Sequence, residues 1–412
     1  MKATYHKKAK TSIIILLLLI ILCSFRFFNY YLLSNNMQKL PGMLVMPVLF
    51  LASFNQIFKK DKDVFYKLMK CLVLSWLLSF FMAFIFWDQS LSLTYRASVQ
   101  SLFFVIFFIF NKIKIDRITL EKLIIIMGWG YIALWIYAML RSPEITFGFI
   151  DDDSGLNDQR GIFRINFIGW TCLPFTFFYY FNKCFISKSP KYKIFAIIFF
   201  IFIVLQVTRQ LILCTAIISI IYIFFKSKKI SALCAIIFFS LYIGSAKIEF
   251  SDNSVMGSLI NLTNSQMKGE LYSTDEDIRV LEYKYFLTKW PKNPLTTLFG
   301  DGYPHFDSKY GTFYTTLNTT DKIYLSDVGY PSMYVILGIF GLGIYLLLFI
   351  KGSLQKLPSE LNYARMFMGF LLISNFISAW YLGADSELTM CIAVYLIYLY
   401  RKGSPLLELK KD

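Results

Sequence analysis

Charge is what this chain lacks. Only 17% of its 412 residues are Asp, Glu, Lys or Arg, while 57% are hydrophobic and 19% aromatic. So little charge excludes an ordinary soluble globular protein and points to a polytopic membrane protein. The seven cysteines (Cys23, Cys71, Cys172, Cys184, Cys214, Cys234, Cys391) lie in apolar runs or on the side read below as cytoplasmic. None falls in the long polar stretch 247–330, which excludes a disulfide framework there, and no Cys-x-x-Cys pattern offers a metal or redox site. They read as small apolar packing residues. There is no phosphate-binding Gly-Lys-Ser/Thr loop, no Gly-x-Ser-x-Gly elbow and no His-Glu-x-x-His. A cytosolic nucleotide site is therefore not expected. No fixed-period repeat, low-complexity linker or mirrored half divides the chain, so it reads as a single membrane domain, 1–412.

What is present is a series of apolar runs, near residues 13–33, 40–58, 68–87, 92–110, 122–140, 165–182, 194–207, 210–225, 230–246, 331–350, 366–381 and 388–400. Each is long enough to cross a bilayer or nearly so, and the expected fold is all-α with about 12 transmembrane helices. The count depends on dividing 194–225. As one helix those 32 residues would extend roughly 48 Å, well beyond a hydrocarbon core of about 30 Å. Their only polar cluster is Gln206-Val-Thr-Arg-Gln210, and two shorter helices meeting at Thr208-Arg209 is the economical solution.

The formal charge of +16 does not indicate nucleic acid, because Lys and Arg cluster in the short connectors. The amino terminus and connectors 59–67, 111–122, 183–193, 226–229, 351–365 and 401–412 carry 26 of them, and the opposite, longer set carries 13. The positive-inside rule then places both termini in the cytoplasm and the stretch 247–330 outside. Met1 to Lys10 carries four lysines before the apolar run. Arg26, Phe27, Phe28 and two tyrosines stand where a cleavage site would need small residues, so an uncleaved first span is expected.

The 84-residue stretch Lys247–Tyr330 is large enough to fold outside the membrane as a partly helical loop. Ser273 and Glu276 fit a capping box, and Ile278, Leu281 and Tyr285 recur at helical spacing until Trp290-Pro291 stops the run. Asn293 to His305 reads as a turn-rich loop built on Gly300, Gly302 and Pro304. Ser326-Asp-Val-Gly-Tyr-Pro follows at the membrane edge.

The candidate chemistry lies in arginine, histidine and aspartate. Arg209 is flanked by apolar helix on both sides, which is costly unless it reaches water or an anion; a functional role is favoured over snorkelling to headgroups. Arg160 and Arg164, four apart in the connector before the sixth run, would share a helix face. With Arg209 and Arg279 they make four outward guanidinium groups, whose planar forks suit phosphate oxygens. Asp151 to Asp153 resemble half a divalent-cation loop but lack the Gly and Glu that complete one, and read as a solvated turn. His305, the one external histidine, has the chemistry of a general base. Asp327 competes, as a carboxylate standing at the membrane edge.

Taken together, the short Thr-Arg-Gln break, Arg279 in a helix, Trp290 to Asn293, Pro294-Leu-Thr-Thr-Leu-Phe-Gly-Asp-Gly, Tyr310-Gly311 and Ser326-Asp-Val-Gly-Tyr before Gly338-Ile-Phe-Gly-Leu resemble the O-antigen polymerase and ligase superfamily. The likeness covers the second half of the chain in its motifs and the first half in hydropathy. It implies a metal- and cofactor-independent glycosyltransferase of the bacterial inner membrane acting on undecaprenyl-diphosphate-linked glycans at the periplasmic face. Membrane lipid, a chain-length regulator and a flippase would be its partners. The resemblance makes Arg209 and Arg279 diphosphate ligands. Ligases of the family commonly carry a catalytic histidine where this chain has Asp327, which favours polymerase over ligase and leaves the base open between Asp327 and His305. A polysaccharide flippase is the rival from another class. Such folds usually carry internal repeats, and transport does not need a loop of this size.

Overall fold

The computed structural model describes residues 2–141, 144–148, 156–157, 162–163, 165, 167–206, 208–226 and 278–407. Among them the protein is helical, apart from one antiparallel pair, β1 (Leu156–Asn157) and β2 (Ile162–Phe163), with Leu156 opposite Phe163. Nine helices precede residue 227: α1 (Lys2–Ser24), α2 (Asn35–Phe58), α3 (Val64–Trp87), α4 (Leu91–Ser98), α5 (Ile106–Ile113), α6 (Arg117–Arg141), α7 (Cys172–Ile186), α8 (Pro190–Leu205) and α9 (Arg209–Lys226). Six follow from residue 278: α10 (Ile278–Lys284), α11 (Pro294–Phe299), α12 (Lys309–Thr320), α13 (Gly329–Leu354), α14 (Asn362–Ser374) and α15 (Ala384–Arg401). Every apolar run of the sequence except 230–246, which lies outside the described residues, contains helix. Among the described residues six helical segments have the length and apolar composition to cross a membrane, α4 and α5 counting as one through the 3₁₀ turns between them.

Local chemistry sets the boundaries. Ser34, Asp63 and Ser90 cap α2, α3 and α4 by accepting from Met37, Phe65 and Leu93 amides, which satisfies donors the first helical turn leaves open. Pro190 opens α8 at a position where its missing N–H costs nothing. The centre is built by α15 against the segment Leu91–Ile113. Phe103 through Phe108 and Leu388 through Ile397 are almost wholly buried, as expected of helices apolar on every side.

The connectors segregate by charge. Asp63 pairs with Arg401 at 2.6 Å, Asp61 with Lys402 at 2.9 Å, and Arg117 with Glu360 at 2.5 Å. These bonds join members of the Lys/Arg-rich set to one another. The other set is also joined internally: Tyr31 N donates to Thr146 O, Gln89 Nε2 to Tyr303 O, and Lys309 faces Asp88 at 3.3 Å.

Several boundaries differ from expectation: α7 opens only at Cys172 within the run 165–182, and α14 ends at Ser374 within the run 366–381. The first apolar run was expected to continue to residue 33, but α1 ends at Ser24 and the chain turns left-handed. Arg26, Phe27, Phe28 and Asn29 all have φ between 50 and 58°. No glycine eases this conformation, which costs about 1–2 kcal/mol per residue. Packing holds it: Phe28 sits edge-on to Phe25, Phe147 and Phe167, and its carbonyl accepts from Gly148 N. The stretch expected as loop from Asn293 contains α11, where Asn293 and Thr296 form a reciprocal capping box.

The link between this loop and the helical body is a break in α13. Gly338 has φ 69° and ψ −175°, which leaves the carbonyls before it without helical donors. The Gly300-Asp-Gly302 turn supplies them: Asp301 N donates to Val335 O at 2.8 Å and Gly302 N to Ile336 O at 3.0 Å. Ser79 Oγ adds a bond to Ile336 O and Lys292 Nζ one to Tyr334 O. Lys292 also pairs with buried Asp301 at 3.1 Å, and that carboxylate accepts from both Trp87 and Trp290. A buried ion pair satisfied this fully serves as an anchor rather than a reactive group.

Candidate functional site

The sequence candidates fall in two places. The first is organised by the end of α14 together with the turn that follows it, residues 372–379. Gln210, next to Arg209 at the start of α9, donates to Ser374 O at 2.5 Å. Tyr330 N donates to Asn375 O at 3.1 Å, and Ala379 N to Ser326 O at 2.9 Å. Tyr283 of α10 bonds to Phe376 O, and the two rings lie tilted against each other at 5.6 Å. Elements carrying Arg209, Arg279 and Asp327 therefore meet on residues 372–379, although they are far apart in sequence. Arg209 is partly buried, Arg279 exposed and Asp327 partly buried.

Each position has a local cause. The break between α8 and α9 falls at 206–208, as the polar cluster implies. Buried Gln206 bonds to Tyr131 there, and Thr208 O accepts from Ile212 N to start α9. Arg209 thus stands in the first turn of a helix, where amide dipoles and its own charge together favour an anion. Buried Glu282 on α10 accepts from Tyr324 N at 2.9 Å and fixes the approach to Asp327. Asp327 ends a 3₁₀ turn, Leu325–Asp327, and its Oδ1 accepts from Ser326 Oγ at 3.0 Å.

His305 lies in the second place, a cavity of about 840 Å³ that Asp327 does not line. Its amide donates to Gln89 Oε1 at 2.9 Å, and its Nδ1 accepts from Asp307 N at 3.2 Å. The proton of the neutral ring is then on Nε2, which can donate but not accept. Burial lowers the pKa of His305 below its usual value; Asp307 opposes the shift, and Arg96 and Lys39 reinforce it. A neutral ring with its acceptor nitrogen already occupied is a poor general base. Arg160, Arg164 and the acidic run Asp151–Asp153 lie outside the described residues, as do Ser273 and Glu276. Among the described residues no group of three His, Cys, Asp or Glu could hold a metal.

Two cations of this cavity escaped the sequence reading. Arg26 and Arg96 both line it, with Lys39. Both arginines sit inside runs read as continuous spans, and an arginine within an apolar run is the signal that singled out Arg209. No protein-family model matches the chain, and no curated protein matches it.

Proposed function

We propose that the protein is a membrane glycosyltransferase that polymerises undecaprenyl-diphosphate-linked oligosaccharide units into surface polysaccharide. In this reading the chain crosses the inner membrane about twelve times, both termini are cytoplasmic, and 247–330 faces the periplasm. One observation carries it: Arg209, Arg279 and Asp327, far apart in sequence, belong to elements that meet on residues 372–379. Two guanidinium groups and a carboxylate at the edge of a helical membrane body are suited to an anionic, lipid-borne donor.

In the proposed step a hydroxyl of the incoming unit attacks the anomeric carbon of the donor glycan. The bond from that carbon to the diphosphate oxygen breaks, and the electron pair leaves with the diphosphate. Arg209 and Arg279 would stabilise its developing charge, an interaction worth more in a water-poor cavity than in bulk water. Asp327 would take the hydroxyl proton. Asp327 is preferred to His305, whose Nδ1 already accepts from Asp307 N. The chain-length regulator and the flippase would act beside this site.

Deletion in the native host followed by gel analysis of surface polysaccharide tests the proposal. Loss of the ladder with one capped unit remaining supports polymerisation. Wholly unattached polymer would mean a ligase, and an unchanged ladder would refute the assignment.

A further inference from the structure

Apart from the transfer site just proposed, we infer that the cavity around Arg26 binds the phosphate group of an anionic membrane lipid. Its charged lining is Arg26, Lys39 and Arg96 against one carboxylate, Asp307. Among the described residues none of the three cations belongs to an ion pair. Arg26 is held instead by a neutral group: Gln100, with its amide oxygen turned to the guanidinium, accepts from Nε at 2.6 Å and Nη2 at 3.3 Å. A partly buried guanidinium held by an amide keeps its full charge for a ligand, and its remaining donors form the fork that fits phosphate oxygens. The left-handed turn 26–29 fixes where that guanidinium stands. A conformation disfavoured for non-glycine residues, kept by dense packing, is characteristic of binding positions.

The occupant is lipid rather than free phosphate because of the cavity's other wall. Leu40 and Leu44 of α2 line it, and both are exposed, as are Val48 and Leu51 beyond them. The spacing 40, 44, 48, 51 is one helix face, so an apolar stripe about 16 Å long leads away from the basic cavity. A phosphate among the cations with its hydrocarbon chain along this stripe would satisfy both surfaces.

The full-length protein, purified in detergent, would be examined by native mass spectrometry after incubation with phosphatidylglycerol, phosphatidic acid or phosphatidylethanolamine. The expected result is retention of one molecule of at least one of the two anionic lipids above the phosphatidylethanolamine background. Arg26→Gln and Arg96→Gln should each lower that retention by about tenfold or more, and Arg209→Gln should not. Arg96 is exposed, so its variant tests the idea even if Arg26→Gln does not fold. Retention equal to phosphatidylethanolamine, retention unchanged in Arg96→Gln, or displacement by millimolar inorganic phosphate would each overturn the inference. Loss of polymer on host deletion bears only on the transfer reaction, so the two readings fail separately.

Discussion

Replacing Gly338 with alanine should damage this protein far more than the same change five residues later. Gly338 combines φ 69° with ψ −175°, a region open essentially to glycine alone and costing about 1–3 kcal/mol for other residues. A Cβ there would lie 2.4 Å from Leu298 O and 2.5 Å from Gly300 N. Both are backbone atoms, so relief requires moving the turn that donates to Val335 O and Ile336 O. Overpacking of this kind adds about 1–3 kcal/mol, for a combined loss of roughly 2–6 kcal/mol. Gly343, on the same helix, has nothing within 4 Å of its Cβ position. Its alanine variant should be neutral, or more stable by about 0.5–1 kcal/mol. Thermal unfolding of the detergent-purified variants, followed by tryptophan emission, makes the comparison, because Trp87 and Trp290 both donate to Asp301 at the stitch. Equal stability of Gly338→Ala and Gly343→Ala would refute the stitched-break account of α13.

Other expectations concern the site. Asp327→Asn should lower turnover of lipid-linked units by roughly 10²–10⁴, while His305→Gln costs little; the opposite pattern in a reconstituted assay would make the histidine the base. Arg209→Lys should restore only part of the activity lost in Arg209→Ala, since an ammonium lacks the bidentate fork, and full rescue would reduce Arg209 to a generic cation. His305 has a lowered pKa in the fold, so its contribution to stability is complete above the usual value of 6.5 and is lost as pH falls below it. Stability measured from pH 7 to pH 5 should therefore decline more in the wild type than in His305→Gln. Alkaline phosphatase fused after Lys322 should be active and after Lys356 inactive; the reverse would invert the proposed orientation.

What could be read from the sequence was local. The break before Arg209 was legible because five polar-rich residues interrupt an otherwise apolar run, and the stop at Trp290-Pro291 because proline cannot continue a helix. The division of the connectors into two sets, each joined internally, was legible in Lys and Arg counts. Contacts between distant segments were not. Nothing near Gly338 announces that Gly300 and Gly302 will fill its broken ladder. Arg26 and Arg96 were obscured by the strength of the hydropathy around them, and the left-handed turn at 26–29 has none of the glycines that normally mark one. Helix α11 was passed over because glycine and proline around it suggested turns, although Asn293 and Thr296 carried its cap. Asp327 and His305 looked like rivals for one role, and only tertiary structure assigns them to different surroundings.

The turn at 372–379 has a consequence for how this protein can vary. Its neighbours contact it mainly through main-chain oxygens: Leu372 O takes the Tyr330 hydroxyl, Ser374 O the Gln210 amide, Asn375 O the Tyr330 N–H, and Phe376 O the Tyr283 hydroxyl. Carbonyls are the same in every residue, so the turn can exchange most of its side chains and still gather the same elements. Constraint passes instead to the donors and to Gly329, where any Cβ would lie 2.1 Å from Asn375 O. A saturation library across this region should tolerate change at Phe376 and Ile377, which are exposed or partly exposed, while rejecting it at Gly329. A site assembled in this way would leave only a faint imprint in the amino-acid sequence, since its specification lies in the peptide backbone.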